Sequence, residues 1–75
     1  MIIKNYKEAI SELSKIKLEE FFQIKSSDDV IEHYQLLEVS PKLNYFTVVL
    51  VYNGAVKRPK MVISTKYLVG KELIY

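Results

Sequence analysis

Residues 44–55 read Asn-Tyr-Phe-Thr-Val-Val-Leu-Val-Tyr-Asn-Gly-Ala, and this stretch decides the fold. Its first nine residues are mostly β-branched or aromatic, which favours a strand. They are apolar on both faces, which is typical of a strand in the interior of a sheet. Asn53-Gly54 is the preferred pair for a type I′ turn, because both central residues of that turn need a positive φ. We therefore predict a β-hairpin whose return strand spans 55–64.

A proline in the return strand conflicts with a regular hairpin. A two-residue turn pairs Tyr52 with Ala55, and the same register pairs Val48 with Pro59. Proline has no N–H to donate to the ladder, so we predict either a loosened ladder or a bulge near Pro59. Proline beside cations also protects an exposed strand from unwanted pairing, which predicts that the return strand lies at an edge.

The N-terminal third has the pattern of an amphipathic helix. At 100° per residue, one face of 3–24 collects Ile3, Tyr6, Ala9, Ile10, Leu13, Ile16, Phe21 and Ile24. Strong helix formers dominate this segment, so we predict one long helix. The alternation from Ile16 to Ile24 also suits a strand, which makes the second half the weaker part of the prediction.

Residues 26–39 permit two interpretations. Ser27 is a suitable helix N-cap, and Asp28 and Asp29 would interact well with the positive end of a helix dipole. Apolar residues then follow at helical spacing, and we predict a short second helix. The alternative makes 30–39 a strand, because valine, isoleucine and tyrosine favour sheets.

The predicted fold is a single α+β domain spanning 1–75. A long N-terminal helix and the short second helix pack on a small antiparallel sheet built around the hairpin. Residues 65–75 add either a further strand or a strand with a short helical turn. Among the aromatic residues, Phe46 and Tyr6 are the expected core members.

Several kinds of chemistry are missing from the sequence. It has no cysteine, two separated glycines and one histidine, His33. Disulfides are excluded, a structural zinc site lacks ligands, and no glycine-rich phosphate loop is present. Asp28 and Asp29 are interpreted as helix-start residues rather than as a cation site. We predict a protein that is not an enzyme, with no catalytic residues, metal or cofactor.

The expected compartment is the cytoplasm. No stretch approaches the roughly 18 to 20 apolar residues that a membrane span needs. The first residues reach the charged Lys4 without an apolar signal core, so we expect no membrane association.

The C-terminal half carries the best candidate surface. Residues 41–75 hold six cations, namely Lys42, Lys57, Arg58, Lys60, Lys66 and Lys71, against the single acidic residue Glu72. The predicted partner-binding or nucleic-acid-binding residues are Tyr52, Lys57, Arg58, Lys60 and Lys66. Tyrosine stacks on bases and lysine neutralises phosphate, but a lone arginine argues against specific guanine recognition. The alternative is a solubilising sheet edge with protective charges.

The aromatic count points to an interaction protein. Six tyrosines and three phenylalanines exceed what so small a core can bury, so the remaining rings are expected to contact a partner. We predict a small non-enzymatic protein-binding regulator or inhibitor that acts on a host protein, and a homodimer is one expected form. Its lysine-rich composition is typical of an A+T-rich coding genome, which suggests a low-GC bacterium or a phage or mobile element living in one. The alternatives are a weakly sequence-specific nucleic-acid binder using the basic hairpin, and a small toxin-like ribonuclease using tyrosine, lysine and the single histidine, His33.

Overall fold

The structure, a computed structural model, describes residues 2–52 and 55–75, and the side chains of these residues except 56–58. Its elements are α1 (Tyr6–Leu13), β1 (Phe21–Lys25), β2 (Ile31–Val39), β3 (Tyr45–Tyr52), β4 (Ala55–Ser64), the 3-10 helix η1 (Thr65–Leu68) and β5 (Glu72–Ile74). The five strands form one antiparallel sheet in the order β4-β3-β2-β1-β5. The predicted α+β architecture with a small antiparallel sheet is confirmed.

The prediction of a long N-terminal helix is wrong. α1 has eight residues, begins after its N-cap Asn5 and ends at the C-cap Ser14. The segment after it forms β1, because Phe22 and Ile24 enter the core at the strand period of two. The alternate residues Phe21, Gln23 and Lys25 lie on the opposite side of the sheet. Pairing of β1 with β2 and β5 therefore outweighs the helical periodicity of the segment.

The predicted second helix is also wrong, and the strand alternative is the correct one. β2 pairs with β1 on one side and with β3 on the other, and its Tyr34 and Leu36 are buried two residues apart. Ser27 does not cap a helix, since it lies in the turn that joins β1 to β2. That turn is closed by a bond from the Ser26 N–H to the Val30 carbonyl at 3.0 Å, with Asp29 at a positive φ of 64°.

The hairpin prediction is confirmed in its strands. β3 lies in the interior of the sheet, β4 lies at an edge, and Tyr52 pairs with Ala55. The predicted turn residues Asn53-Gly54 lie outside the described residues. The ladder is regular as far as the pair Leu50 and Lys57, and then shifts so that Val48 pairs with Met61. A bulge therefore lies at Pro59, as its missing N–H requires.

The helices occupy one side of the sheet. The core there contains Ile3, Ala9, Leu13, Ile16, Phe22, Ile24, Tyr34, Leu36, Phe46, Val48, Leu68 and Leu73. Phe46 is buried as predicted, but Tyr6 is only partly buried. Phe22 and Tyr34 supply the other core rings, with centroids 5.8 Å apart. The prediction of Tyr6 as a core residue is therefore not confirmed, because the short α1 buries Ala9 and Leu13 instead.

The chain after β4 crosses the core side to the other edge of the sheet. The Thr65 hydroxyl donates to the Leu43 carbonyl at 2.6 Å, and the Gly70 N–H donates to the Ile3 carbonyl at 2.8 Å. β5 then pairs with β1. Residues 65–75 are thus a short helical turn followed by a strand, one of the two predicted arrangements. Within 2–52 and 55–75, no helix is long and apolar enough to cross a membrane.

Candidate functional site

The helical layer leaves the turn end of the hairpin uncovered. Residues that pair directly in an antiparallel sheet lie on the same face, so Leu50, Tyr52 and Met61 share the side of the core residues Phe46 and Val48. Their exposed fractions are 39%, 62% and 37%, whereas Val48 is fully buried. We call these three residues the hairpin patch. It is an apolar surface continuous with the core.

Four of the five predicted binding residues lie at this end of the sheet. Tyr52 belongs to the hairpin patch, Lys57 is the strand partner of Leu50, and Arg58 and Lys60 flank Pro59 in the bulge. Lys60 is exposed, while the side chains of Lys57 and Arg58 lie outside the described part of the structure. The cationic segment of β4 therefore adjoins the hairpin patch.

Lys66 is placed apart from the other four. It lies in η1, two residues after Ser64, and Ser64 pairs with Tyr45 at the opposite end of β3 from Tyr52. At about 3.3 Å per residue, the seven steps of β3 separate these ends by roughly 23 Å. The fold thus places Lys66 near one end of the hairpin and the other four predicted binding residues near the opposite end.

Sequence reasoning missed Leu50 and Met61. Leu50 belongs to a strand that reads as buried on both faces, so nothing local distinguishes it from Val48. Met61 reaches the position opposite Val48 only through the bulge at Pro59. The proline was the available signal, but the size of the register shift depends on the folded strand pair.

A carboxylate on β2 binds two phenols on the core side. Tyr67 donates to one oxygen of Glu32 at 2.8 Å, and Tyr34 donates to the other at 3.0 Å. Burial and the Glu32 bond raise the pKa of the Tyr34 phenol well above its ordinary value. The bond to Glu32 likewise raises the pKa of Tyr67. Both phenols are therefore protonated at neutral pH, and the cluster attaches η1 to the sheet.

The acidic residues after β1 make local contacts. The Ser26 hydroxyl donates to the Asp28 carboxylate at 2.6 Å, and this bond lowers the pKa of that carboxyl. Lys25 and Asp29 form an exposed ion pair at 3.5 Å. Among the described residues, no group of three or more acidic or histidine side chains is arranged to hold a metal ion. Asp28 and Asp29 are turn residues, which corrects their interpretation as a helix start.

The other side of the sheet is a second exposed surface. It carries Phe21, Gln23, Lys25, Ile31, His33, Gln35, Glu38, Tyr45, Thr47, Val49, Val51, Val62, Glu72 and Ile74, and we call it the open face. Of these residues, Val49 is buried. No helix covers it in the described parts of the chain. Phe21 is 59% exposed and Val62 70%, and Tyr45 and Ile31 are exposed as well. Large apolar side chains in contact with water at this density are typical of an interaction surface.

A groove of about 560 Å³ runs across the open face. Its side walls include Phe21, Gln23, His33, Val51, Ile74 and Tyr75. His33 is exposed there and has no hydrogen-bond partner among the described residues. Its side of the sheet is opposite to that of Tyr52, so the two do not share a site. None of the described lining residues is a lysine or arginine, the side chains that bind phosphate.

Comparison of the chain with protein-family models, with curated proteins and with solved structures finds no match.

Proposed function

We propose that this chain is a small non-enzymatic protein-binding regulator or inhibitor whose partner contacts the hairpin patch. The observation that carries the proposal is the exposure of Leu50, Tyr52 and Met61 at the end of the sheet that the helical layer does not reach. Tyrosine is enriched at protein interfaces, and methionine adapts its shape to a partner surface. A patch of this kind binds by burial of apolar area and requires no reactive group.

The chemistry of the partner follows from the charges beside the patch. The adjoining segment of β4 contains Lys57, Arg58 and Lys60 and no acidic residue. A partner segment with an apolar centre and acidic residues at its margin would complement this arrangement. A phage or mobile-element protein that acts on a host protein in the cytoplasm would regulate it by contact of this kind. The origin of the chain, its target and its location stay predictions.

Affinity purification from the lysate of the native host, with and without nuclease, tests the proposal. The tagged wild-type chain is compared with Leu50→Lys and with the matched control Val69→Lys, since Leu50 and Val69 are 39% and 36% exposed. We expect the wild type and the control each to capture one protein, in the same ratio to the tagged chain with and without nuclease treatment. Leu50→Lys should lose it, because a buried lysine lacks a partner in an apolar contact.

Two results would contradict the proposal. Equal capture by Leu50→Lys and Val69→Lys would show that the partner does not contact the hairpin patch. Turnover of a substrate that stops on changing one side chain would make the protein an enzyme. Circular dichroism of each variant establishes that it is folded.

A nucleic-acid partner is the second candidate, supported by the exposed ring of Tyr52 beside the cationic segment. Capture would then disappear on nuclease treatment, and affinity for an oligonucleotide would fall steeply with salt. Replacing Lys57, Arg58 and Lys60 with glutamate should abolish that binding in a folded chain. The toxin-like ribonuclease stays a prediction that no described contact of His33 supports.

A further inference from the structure

The centre of the open face carries no formal charge. Two neighbouring rows of paired residues cross the strands there, the first with Ile74, Gln23 and His33, and the second with Phe21, Gln35 and Val49. The row before them contains Lys25 with its strand partner Glu72, and the row after them contains Glu38. An uncharged centre with charges at opposite margins is the anatomy of a protein interface.

The open face is complementary to a copy of itself. A twofold axis is placed parallel to the sheet, perpendicular to the strands and level with the gap between the two uncharged rows. Rotation about this axis gives a second copy whose strands run in the opposite direction. The first row of each copy then lies over the second row of the other. Lys25 and Glu72 of each copy then lie over the end of the sheet that carries Glu38 of the other, so the charged rows stay at the margins of the contact. The uncharged rows cover one another at the twofold axis, as the centre of an interface requires.

The same arrangement places a projecting ring over a groove. Phe21 is 59% exposed and belongs to the second row, while Ile74, Gln23 and His33 line the groove in the first row. End-for-end packing therefore directs Phe21 of each copy into the groove of the other. This contact occurs twice, as a twofold interface requires.

The available area is sufficient for a stable pair. The molecule is a slab of 31 × 31 × 17 Å, because the helical layer lies on one side of the sheet only. A broad side of this size offers on the order of 800 Å², which matches the area that each partner contributes to a standard interface. A chain of 75 residues without cysteine has a small core and no disulfide to stabilise it. Formation of a dimer adds the buried apolar area that such a core lacks.

We infer that the open face binds a second copy of this chain, sheet against sheet and end for end, with Phe21 of each copy in the groove of the other. The interface lies on the side of the sheet away from the hairpin patch, so the dimer presents two hairpin patches outward. The inference goes beyond the proposed function and uses different residues.

Sedimentation and light scattering over the micromolar to millimolar range test the dimer. The wild type and Val69→Lys should be dimers. Phe21→Lys and Val62→Lys should be folded monomers over most of that range, with the dissociation constant raised at least about 100-fold, because each substitution is present twice in the interface. A wild type that is monomeric throughout, or a dimer that Phe21→Lys leaves intact, would overturn the inference.

NMR tests the orientation. In a mixed-isotope sample, the Phe21 ring should show contacts with Ile74 or Val51 methyl groups of the other copy. A dimer whose Phe21 ring lacks these contacts would overturn the end-for-end packing. Leu50→Lys should remain dimeric, which separates this test from that of the proposed function.

Discussion

The hydroxyl of Tyr67 donates a 2.8 Å hydrogen bond to Glu32, a residue 35 positions earlier in the chain. The other oxygen of the same carboxylate accepts from Tyr34, so one side chain connects β2 to η1. The Lys71 ammonium lies 4.0 Å from the centre of the same Tyr67 ring, a contact within the segment that follows β4. These contacts hold the helical layer over the core, and the hairpin patch begins where that layer ends.

The two phenols predict a loss of stability at high pH. Their pKa values are raised in the folded chain, so the unfolded chain releases these protons first as the pH rises past about 10. Their contribution to the free energy of unfolding is complete below that pH and declines above it. Urea unfolding followed by circular dichroism, at neutral pH and at pH above about 10.5, measures the decline.

The matched variant for this effect is Tyr67→Phe, which removes one hydroxyl and keeps the ring. We expect it to lower the free energy of unfolding by about 1 kcal/mol at neutral pH. Its stability should then fall less steeply than that of the wild type in alkaline solution. Identical pH dependence in both proteins would show that the bond from Tyr67 to Glu32 does not contribute to stability.

The buried hydroxyl of Thr65 is predicted to stabilise the junction of β4 and η1. Thr65 is fully buried, and its hydroxyl donates to the Leu43 carbonyl at 2.6 Å. Thr65→Val keeps the shape and removes the donor, so the free energy of unfolding should fall by about 1–3 kcal/mol. Ser64→Ala is the control, because that hydroxyl accepts a 3.3 Å bond from the Lys66 N–H at an exposed site. A change below about 0.5 kcal/mol is expected for it. Equal effects of the two substitutions in urea unfolding would contradict the prediction.

The N-cap of α1 is predicted to matter because the helix has only eight residues. The Asn5 side chain accepts from the Glu8 N–H at 2.9 Å, and the Glu8 carboxylate accepts from the Lys4 N–H at 3.0 Å. Asn5→Ala should cost about 1 kcal/mol, whereas Asn5→Ser should retain most of the stability. Thermal unfolding compares the two variants with the wild type. Equal unfolding midpoints for Asn5→Ala and Asn5→Ser would show that the Asn5 side chain does not stabilise α1 as a cap.

Glu19 is predicted to be a site where glycine stabilises the fold. This exposed residue has a φ of 69°, and its N–H donates to the Leu36 carbonyl at 2.6 Å. The left-handed region costs an L-residue about 1–2 kcal/mol, and the entropy of glycine offsets part of the relief. Glu19→Gly should raise the free energy of unfolding by up to about 1 kcal/mol, and Glu19→Val should lower it. A lower melting temperature for Glu19→Gly than for the wild type would contradict this.

Particular segments show why sequence reasoning succeeded in one half and failed in the other. The β3–β4 strands follow from β-branched residues, and the Pro59 irregularity follows from a missing N–H, both of which are local properties. Residues 16–24 satisfy the periods of a helix and of a strand together, so local properties could not decide between them. Tyr52 was identified as a surface residue because it is interleaved in sequence with the cations of the C-terminal part, whereas Leu50 resembles the core residues beside it.

By itself, the chemistry of the sequence determined an α+β fold with a small antiparallel sheet, the strands of its hairpin, and an irregular edge at Pro59. The tertiary structure decided that 21–25 and 31–39 are strands, since each gains backbone partners on both sides that an isolated segment lacks. It also decided which apolar residues remain exposed. Exposure depends on how far the helical layer extends over the sheet, and that extent is set by contacts such as Tyr67 with Glu32 between distant residues.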